Sequence, residues 1–381
     1  MRLLVTSDAV GGVWEYTVEL AHALARSGVE VIVACLGPPP SASQRAMIRP
    51  DEHLGADAQA GSVTLMETDL PLDWLCADAA PVLAAGQAIA ALAAALNVDL
   101  VQLNMPTLAA AGPMPVPTIA VTHGCVGTWW EAARPGVPLA RDYRWHSVLT
   151  AAGLRAVDRV VAPSAAYGAI VQRRYGLAEA PVTVHNGRSP LCLPEPDAPP
   201  GDLALTVGRL WDGVKNAALL DRVAARLPIP FLAAGAVRGP HGETVRLDHL
   251  RPLGQLSAAQ LGSHLAQRPI FVSAARFEPF GLAVLEAAQA GCALVLSDTP
   301  TFRELWEEAA LFVPLDAHGE DHAAWCDAIE ALMLDAARRR DLAAAARDRA
   351  ARYTPAATAA RMLALYRELI AARPSASRVA A

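Results

Sequence analysis

Two glutamates eight residues apart, Glu278 and Glu286, lie in SAARFEPFGLAVLEAAQAGCALVLSD at 273–298, where residue types and spacing say most about chemistry. An apolar run ending at Ser273 predicts a strand, and Gly281 predicts the start of a helix after the intervening loop. Glu278 then falls in the loop and Glu286 about one and a half turns into the helix, so the two carboxylates can meet different parts of one ligand. Backbone N–H groups around Gly281, Leu282 and Ala283 would seat a diphosphate. The plainer reading makes Glu278 a local cap and Glu286 a surface charge. Against it, Glu286 sits within the apolar run AVLEAAQAG, where an unpaired carboxylate is costly and a ligand hydroxyl would offset the cost.

A second group lies in VGRLWDGVKN at 207–216, at the end of another strand-like run. Arg209 and Lys215 could converge on the same diphosphate, one as a planar fork and the other as a point charge. Taken alone, the fragment reads more plainly as two solvated cations. Near the N-terminus, TSDAVGGVWEYTVELAHAL puts Gly11 and Gly12 directly before an amphipathic helix. Paired glycines let backbone N–H groups approach an anion, and a helix start adds partial positive charge. An ordinary strand-to-helix turn fits equally well, and the spacing is not that of a dinucleotide site. In AVTHGCVGTWWEA, His123 follows a strand end, where ligands gather in parallel sheets. Trp129 and Trp130 offer faces for stacking on a sugar or aglycone, or else fill a core. The sequence contains no H-E-x-x-H motif and no D-x-D run placed to hold a metal.

The elements that must position these residues follow from the apolar pattern. Short Val/Ile/Leu runs alternate with longer Ala/Leu-periodic segments, the pattern of βα units and of parallel sheets covered by helices. Strands are expected at 3–6, 30–35, 63–67, 100–103, 118–121, 159–162 and 182–184. After a break they resume at 204–207, 231–234, 270–273, 293–296 and 311–313, and helices from Asp321 and Arg338 close the chain. The break is SPLCLPEPDAPPG at 189–201, whose five prolines can continue neither a helix nor a central strand. The expected organisation is an N-terminal domain over 1–190, a linker over 191–201, a second domain over 202–353, and over 354–381 a C-terminal helix packing back on the first domain and a tail. A chain of 381 residues exceeds one hydrophobic core, and twinned open sheets imply a cleft between facing domains.

Composition removes several classes of function. With 53% hydrophobic and 18% charged residues the chain is not disordered, and a net charge of −6 does not suit a binder of nucleic-acid backbones. The six cysteines are scattered without a C-x2-C pair and read as reduced thiols in a cytoplasmic protein. The N-terminal apolar run is too short for a signal-peptide core. The Ala-rich stretch 79–96, interrupted by Gln87, reads as a packed globular helix rather than a membrane span. The arginine excess over 134–174 reads first as a solvated face and second as a weak peripheral contact with anionic lipid.

Together these residues resemble the retaining glycosyltransferases of the two-domain GT-B fold, specifically the large bacterial family four. The E-x7-E element of FEPFGLAVLE carries the resemblance, supported by Gly11–Gly12, His123, the HNG at 185–187 and GRLWDGVKN, so that it spans most of the chain. The resemblance implies an α/β GT-B fold, two Rossmann-like domains facing across a cleft. It implies that Arg209 and Lys215 hold the donor diphosphate, that Glu286 bonds the ribose and that Glu278 bonds the hydroxyls of the transferred sugar. By the same resemblance Gly11 and Gly12 approach the donor phosphate or the acceptor. His123 lies near the sugar, Gly254–Gln255 pass the nucleobase, and Asn186, Phe280, Gly281 and Leu282 line the substrate. Departures are the spacing of Arg209 and Lys215, one residue wider than in many relatives, Asn216 in place of a glycine, and Asn104 where relatives carry histidines.

The implied reaction is metal-independent transfer from a nucleoside-diphosphate sugar, a UDP-sugar first, to a hydroxyl of a glycan, lipid or small molecule, with no further cofactor. An inverting enzyme commonly places a histidine base in the first loop, and Ser7 to Tyr16 contains none. A nucleotide-sugar epimerase or hydrolase on the same fold, and a non-catalytic sugar-nucleotide-binding protein, remain alternatives at this point.

Overall fold

A computed structural model of the chain describes residues 1–48, 61–193, 199–240, 242–315 and 321–373. These form two compact units. The first comprises Met1–Glu131, Gly136–Gly187 and the chain from Thr354 onward; the second comprises Arg188–Tyr353 with Ala132–Pro135.

The first unit is built on strands β1 (Arg2–Asp8), β2 (Glu30–Leu36), β3 (Val63–Glu67), β4 (Leu100–Leu103), β5 (Thr118–Val121), β6 (Arg159–Ala162) and β7 (Val182–Thr183). All pair in parallel, in the order β3-β2-β1-β4-β5-β6-β7. Successive residues serve opposite faces, so Leu3 and Val5 join one core while Leu4, Ile32 and Val101 join the other. Burial on both faces explains why these strands read as continuous apolar runs. Helix Gly12–Arg26 buries Trp14, Leu20 and Leu24 on the first face, and the C-terminal helix Pro355–Ala372 adds Met362 and Tyr366 to the same core. Each such fully buried side chain contributes on the order of 1.5–3 kcal/mol. On the other face lies the Ala-rich helix Ala80–Ala95, where a side chain at Gly86 would overlap the Leu108 carbonyl. No helix among the described residues is long and apolar enough to cross a membrane.

The second unit repeats the plan with β8 (Ala204–Val207), β9 (Phe231–Ala234), β10 (Arg251–Gly254), β11 (Ile270–Ser273), β12 (Leu294–Ser297) and β13 (Leu311–Val313), all parallel, in the order β10-β9-β8-β11-β12-β13. Helix Leu282–Gln289 follows β11, and helices Ala323–Leu334 and Ala336–Ala350 follow β13. β10 has no counterpart in the sequence reading. It is an edge strand with exposed Arg251 and Pro252, and proline brings no N–H to the ladder, so neither alternation nor an apolar run announces it.

In both sheets strand order reverses beside the first strand, between β1 and β4 and between β8 and β11. The carboxyl ends of strands at such points are where open α/β sheets bind ligands. The chain passes from the first unit to the second at Gly187/Arg188 and returns at Tyr353/Thr354. Residues 194–198 of the proline-rich segment lie outside the described residues.

Candidate functional site

At the carboxyl edge of the second sheet, Gly208 and Gly235 directly follow β8 and β9, and β10 ends in Gly254. Gly208 N–H donates to Ala234 O at 3.0 Å and Gly235 N–H to Gly254 O at 2.8 Å. Gly235 has φ +135°, and a side chain there would overlap the Gly208 carbonyl. Gly254 is exposed with open space around it, and Gln255 beside it is exposed too. The result is a floor of bare backbone that a ligand can approach closely.

The turn after β8 brings cations to this floor. Asp212 accepts from Val214 N–H at 3.2 Å, fixing the turn Gly213–Lys215, and receives Arg209 Nη2 at 2.9 Å. Arg209 is half exposed and lies 5.5 Å from the Trp211 ring. Asn216 takes φ +58°, a left-handed conformation that asparagine tolerates, and so turns the chain. Lys215 passes over Gly208 and its ammonium pairs with Glu278. Beyond Glu278, Gly281 has φ +95° and starts helix Leu282–Gln289 with no side-chain cap. Leu282 and Ala283 are partly exposed at that start. A cation, a carboxylate and an uncapped helix N-terminus therefore share one end of the sheet.

Glu286 lies one turn further along this helix, 7% exposed, and pairs with Arg188 Nε at 2.8 Å. Arg188 is also 6% exposed. Its backbone is pinned twice, by N–H to Tyr353 O at 3.2 Å and by Gln289 Nε2 to its carbonyl at 2.7 Å.

At the carboxyl edge of the first sheet, Asp8 ends β1 and accepts from Val10 N–H at 2.9 Å. Burial raises its carboxyl to about 6, although backbone N–H groups of Val10 and Gly11 favour the charge. Gly11 caps helix Gly12–Arg26 without a side-chain hydrogen bond, and a side chain there would meet open space. Among the described residues nothing crowds position 11, so its backbone is open to close approach. His123 lies past β5 with Nε2 at 3.3 Å from Asn104 Oδ1 and its ring 4.4 Å from that of Tyr16. Burial holds its imidazole down at about 3. Trp129 is partly exposed, while Trp130 is buried and donates from Nε1 to Val137 O at 3.0 Å. Asn186 is 5% exposed, and its Oδ1 accepts no hydrogen bond among the described residues.

Comparison with known proteins matches residues 10–189 to Glycosyltransferase Family 4 and residues 243–349 to Glycosyl transferases group 1. The chain belongs to the group 1 glycosyltransferases. Among solved structures it is similar to sucrose-phosphate synthase from Thermosynechococcus elongatus, at 21% identity and a TM-score of 0.78 over 98% of this chain and 100% of that one. A glycosyltransferase from Rickettsia africae matches at 16% identity and 0.67, over 98% and 99% of the two chains. Anabaena HepE, in a structure with UDP and glucose, matches at 16% and 0.68, over 97% and 100%. These likenesses establish the GT-B fold. No curated protein matches the chain.

The glycosyltransferase corrects three steps of the sequence reading. Glu286 is buried but not unpaired, because Arg188 compensates it, so its burial does not by itself require a ligand. Arg188 follows the HNG directly and has no motif of its own, which is why spacing did not reveal it. Phe280 is 2% exposed and stacks edge-on against Tyr353 at 5.6 Å, so its side chain belongs to the core and its backbone alone is available to a substrate. The same holds for Trp130. The arginine excess is also partly spent inside the first unit: Arg159 pairs with Glu368 at 2.8 Å, Arg174 with Glu131 at 3.1 Å, and Arg155 bonds the Tyr175 carbonyl. No group of three His, Cys, Asp or Glu side chains among the described residues is placed to hold a metal.

The depressed His123 has a measurable consequence. Between about pH 6.5 and 3 the unfolded chain takes up a proton that folded His123 refuses, so this residue withdraws stability as the pH falls through that window. Asp8 acts oppositely between about pH 4 and 6, binding its proton more tightly in the folded state. Urea titrations near neutrality and near pH 5 should show the wild type losing more stability on acidification than His123→Gln. Equal losses in the two proteins would mean that His123 titrates normally in the fold.

Proposed function

We propose that this glycosyltransferase moves a sugar from a nucleoside-diphosphate donor to an acceptor hydroxyl, with retention of configuration and without a metal. The observation that carries this reading is the cluster at the carboxyl end of β8 and β11, where Lys215, Glu278 and the uncapped helix start at Gly281–Ala283 lie together. A leaving diphosphate needs its charge stabilised, and Lys215, Arg209 and the helix N–H groups supply that. Glu278, held by Lys215, accepts hydroxyls of the transferred sugar. Glu286, beside Arg188, accepts a ribose hydroxyl. Gly254 and Gln255 border the nucleobase, and the first unit contributes Gly11, Gly12, His123, Asn186 and Trp129 as groups for substrate. A UDP-sugar is the leading donor, and the UDP held by Anabaena HepE supports that choice.

Screening nucleotide sugars for a rise in melting temperature tests the reading, because a ligand of the folded state alone raises apparent stability. One class should protect, and incubation with that donor alone separates transfer from epimerisation. Protection by none would remove the donor site. Added chelator is expected to leave both protection and turnover unchanged, whereas loss restored by magnesium would contradict the metal-free seat. For the first unit, exposed Arg141, Arg144 and Arg173 read as a solvated face, so anionic liposomes at low salt should not co-sediment the protein.

A further inference from the structure

His123 stands at the end of a hydrogen-bond chain whose polarity is fixed at a backbone carbonyl. Thr17, on helix Gly12–Arg26, donates its hydroxyl proton to Val13 O at 2.7 Å, so towards its other neighbours Thr17 Oγ1 can act solely as an acceptor. It receives Asn104 Nδ2 at 3.0 Å. The Asn104 amide is thereby oriented, with its N–H group on Thr17 and its Oδ1 turned to the opposite side. Oδ1 accepts Gln102 Nε2 at 2.9 Å and faces His123 Nε2 at 3.3 Å. The chain closes at the other end, where buried Tyr366 of the C-terminal helix donates to Gln102 Oε1. Asn104 is held independently by its backbone N–H on Thr6 Oγ1 at 3.0 Å.

An oxygen that can accept and cannot donate faces Nε2, so Nε2 must carry the proton. Nδ1 then bears the lone pair, and it has no hydrogen-bond partner among the described residues. We propose that Asn104 is a positioning residue that fixes His123 as the Nε2–H tautomer, so that Nδ1 is presented as an acceptor for a substrate hydroxyl. His123 thus works as a neutral, oriented hydroxyl-binding group rather than as a proton donor. Asn104 supplies the fixed acceptor that this arrangement needs. The hydroxyl-binding half of the proposal rests on the donor reading above; the tautomer half does not.

Nitrogen-15 NMR of the histidine-labelled protein tests both halves, with the His123 signals assigned through His123→Gln. The wild type should show one neutral tautomer, with a protected Nε2–H proton and an unprotonated Nδ1, constant from about pH 5 to 8. Asn104→Leu should lose the protected proton. Thr17→Val combined with Gln102→Leu, which leaves both His123 and Asn104 intact and removes both groups that orient the amide, should shift population toward Nδ1–H by freeing the Asn104 amide to flip. Melting curves recorded alongside show that each variant is folded, and the wild-type tautomer is read without any substitution. A proton on Nδ1 in the wild type, or spectra unchanged in both variants, overturns the tautomer assignment. With a UDP-sugar that protects against unfolding, the Nδ1 resonance should move, and with UDP alone it should stay. Saturation by a protecting donor with Nδ1 unmoved overturns hydroxyl acceptance, and protection by no nucleotide sugar overturns the donor reading instead.

Discussion

Lys215→Ala is expected to lower turnover by about 10²–10³-fold, the usual effect of removing one preorganised group that stabilises developing charge. Two consequences of the geometry add to each other. The substitution removes a cation from the donor cluster, and it strips Glu278 of its partner, leaving a carboxylate beside an incoming diphosphate. Arg209→Ala should cost less, about tenfold, because Arg209 is 51% exposed, its charge is shared with Asp212, and solvent screens it. Steady-state kinetics with varied donor distinguish the two, since Lys215→Ala should fall mainly in kcat and Arg209→Ala mainly in donor KM. Near-wild-type kinetics for both would remove the proposed diphosphate seat.

Arg188→Met should destabilise the fold by about 3–5 kcal/mol, the cost of leaving one member of a buried ion pair without compensation. Arg188 and Glu286 have side chains 7% and 9% exposed, so water replaces little of the lost partner. The double variant Arg188→Met with Glu286→Met should recover most of that loss, because an apolar pair of similar volume avoids the desolvation cost. The two forms should then part in function: the double variant folds, yet binds nucleoside diphosphate more weakly for want of Glu286. Urea unfolding gives the stabilities and calorimetry the affinities. A loss under about 1 kcal/mol in the single variant would mean that the pair is not buried in solution.

Much of this organisation is legible in the sequence because buried parallel strands must be apolar on both faces. Runs such as LLVT at β1 and IFVS at β11 announce themselves, and the glycines and charges that follow mark the ligand ends. β10 is not legible, since an edge strand can carry Arg251 and Pro252 without penalty. Residue partnerships are the other gap. That Glu286 meets Arg188, 98 positions away, and Lys215 meets Glu278, 63 away, follows from folding and not from spacing. Asn104 shows how the same gap can mislead: it registers as a missing histidine in the sequence, while in the fold it accepts from Gln102 and faces His123.

Retention is the claim on which the mechanism turns, and Asp8 marks its rival. A carboxyl at the end of β1, raised to about 6, has the properties of a general base for an inverting reaction, in a loop that holds no histidine. Proton NMR of the freshly formed product reads the anomeric configuration directly. From an α-configured donor, the account predicts an α product from the wild type, and the same anomer made more slowly by Glu278→Gln. A β product, with activity abolished in Asp8→Asn, would contradict front-face transfer and move the base to Asp8.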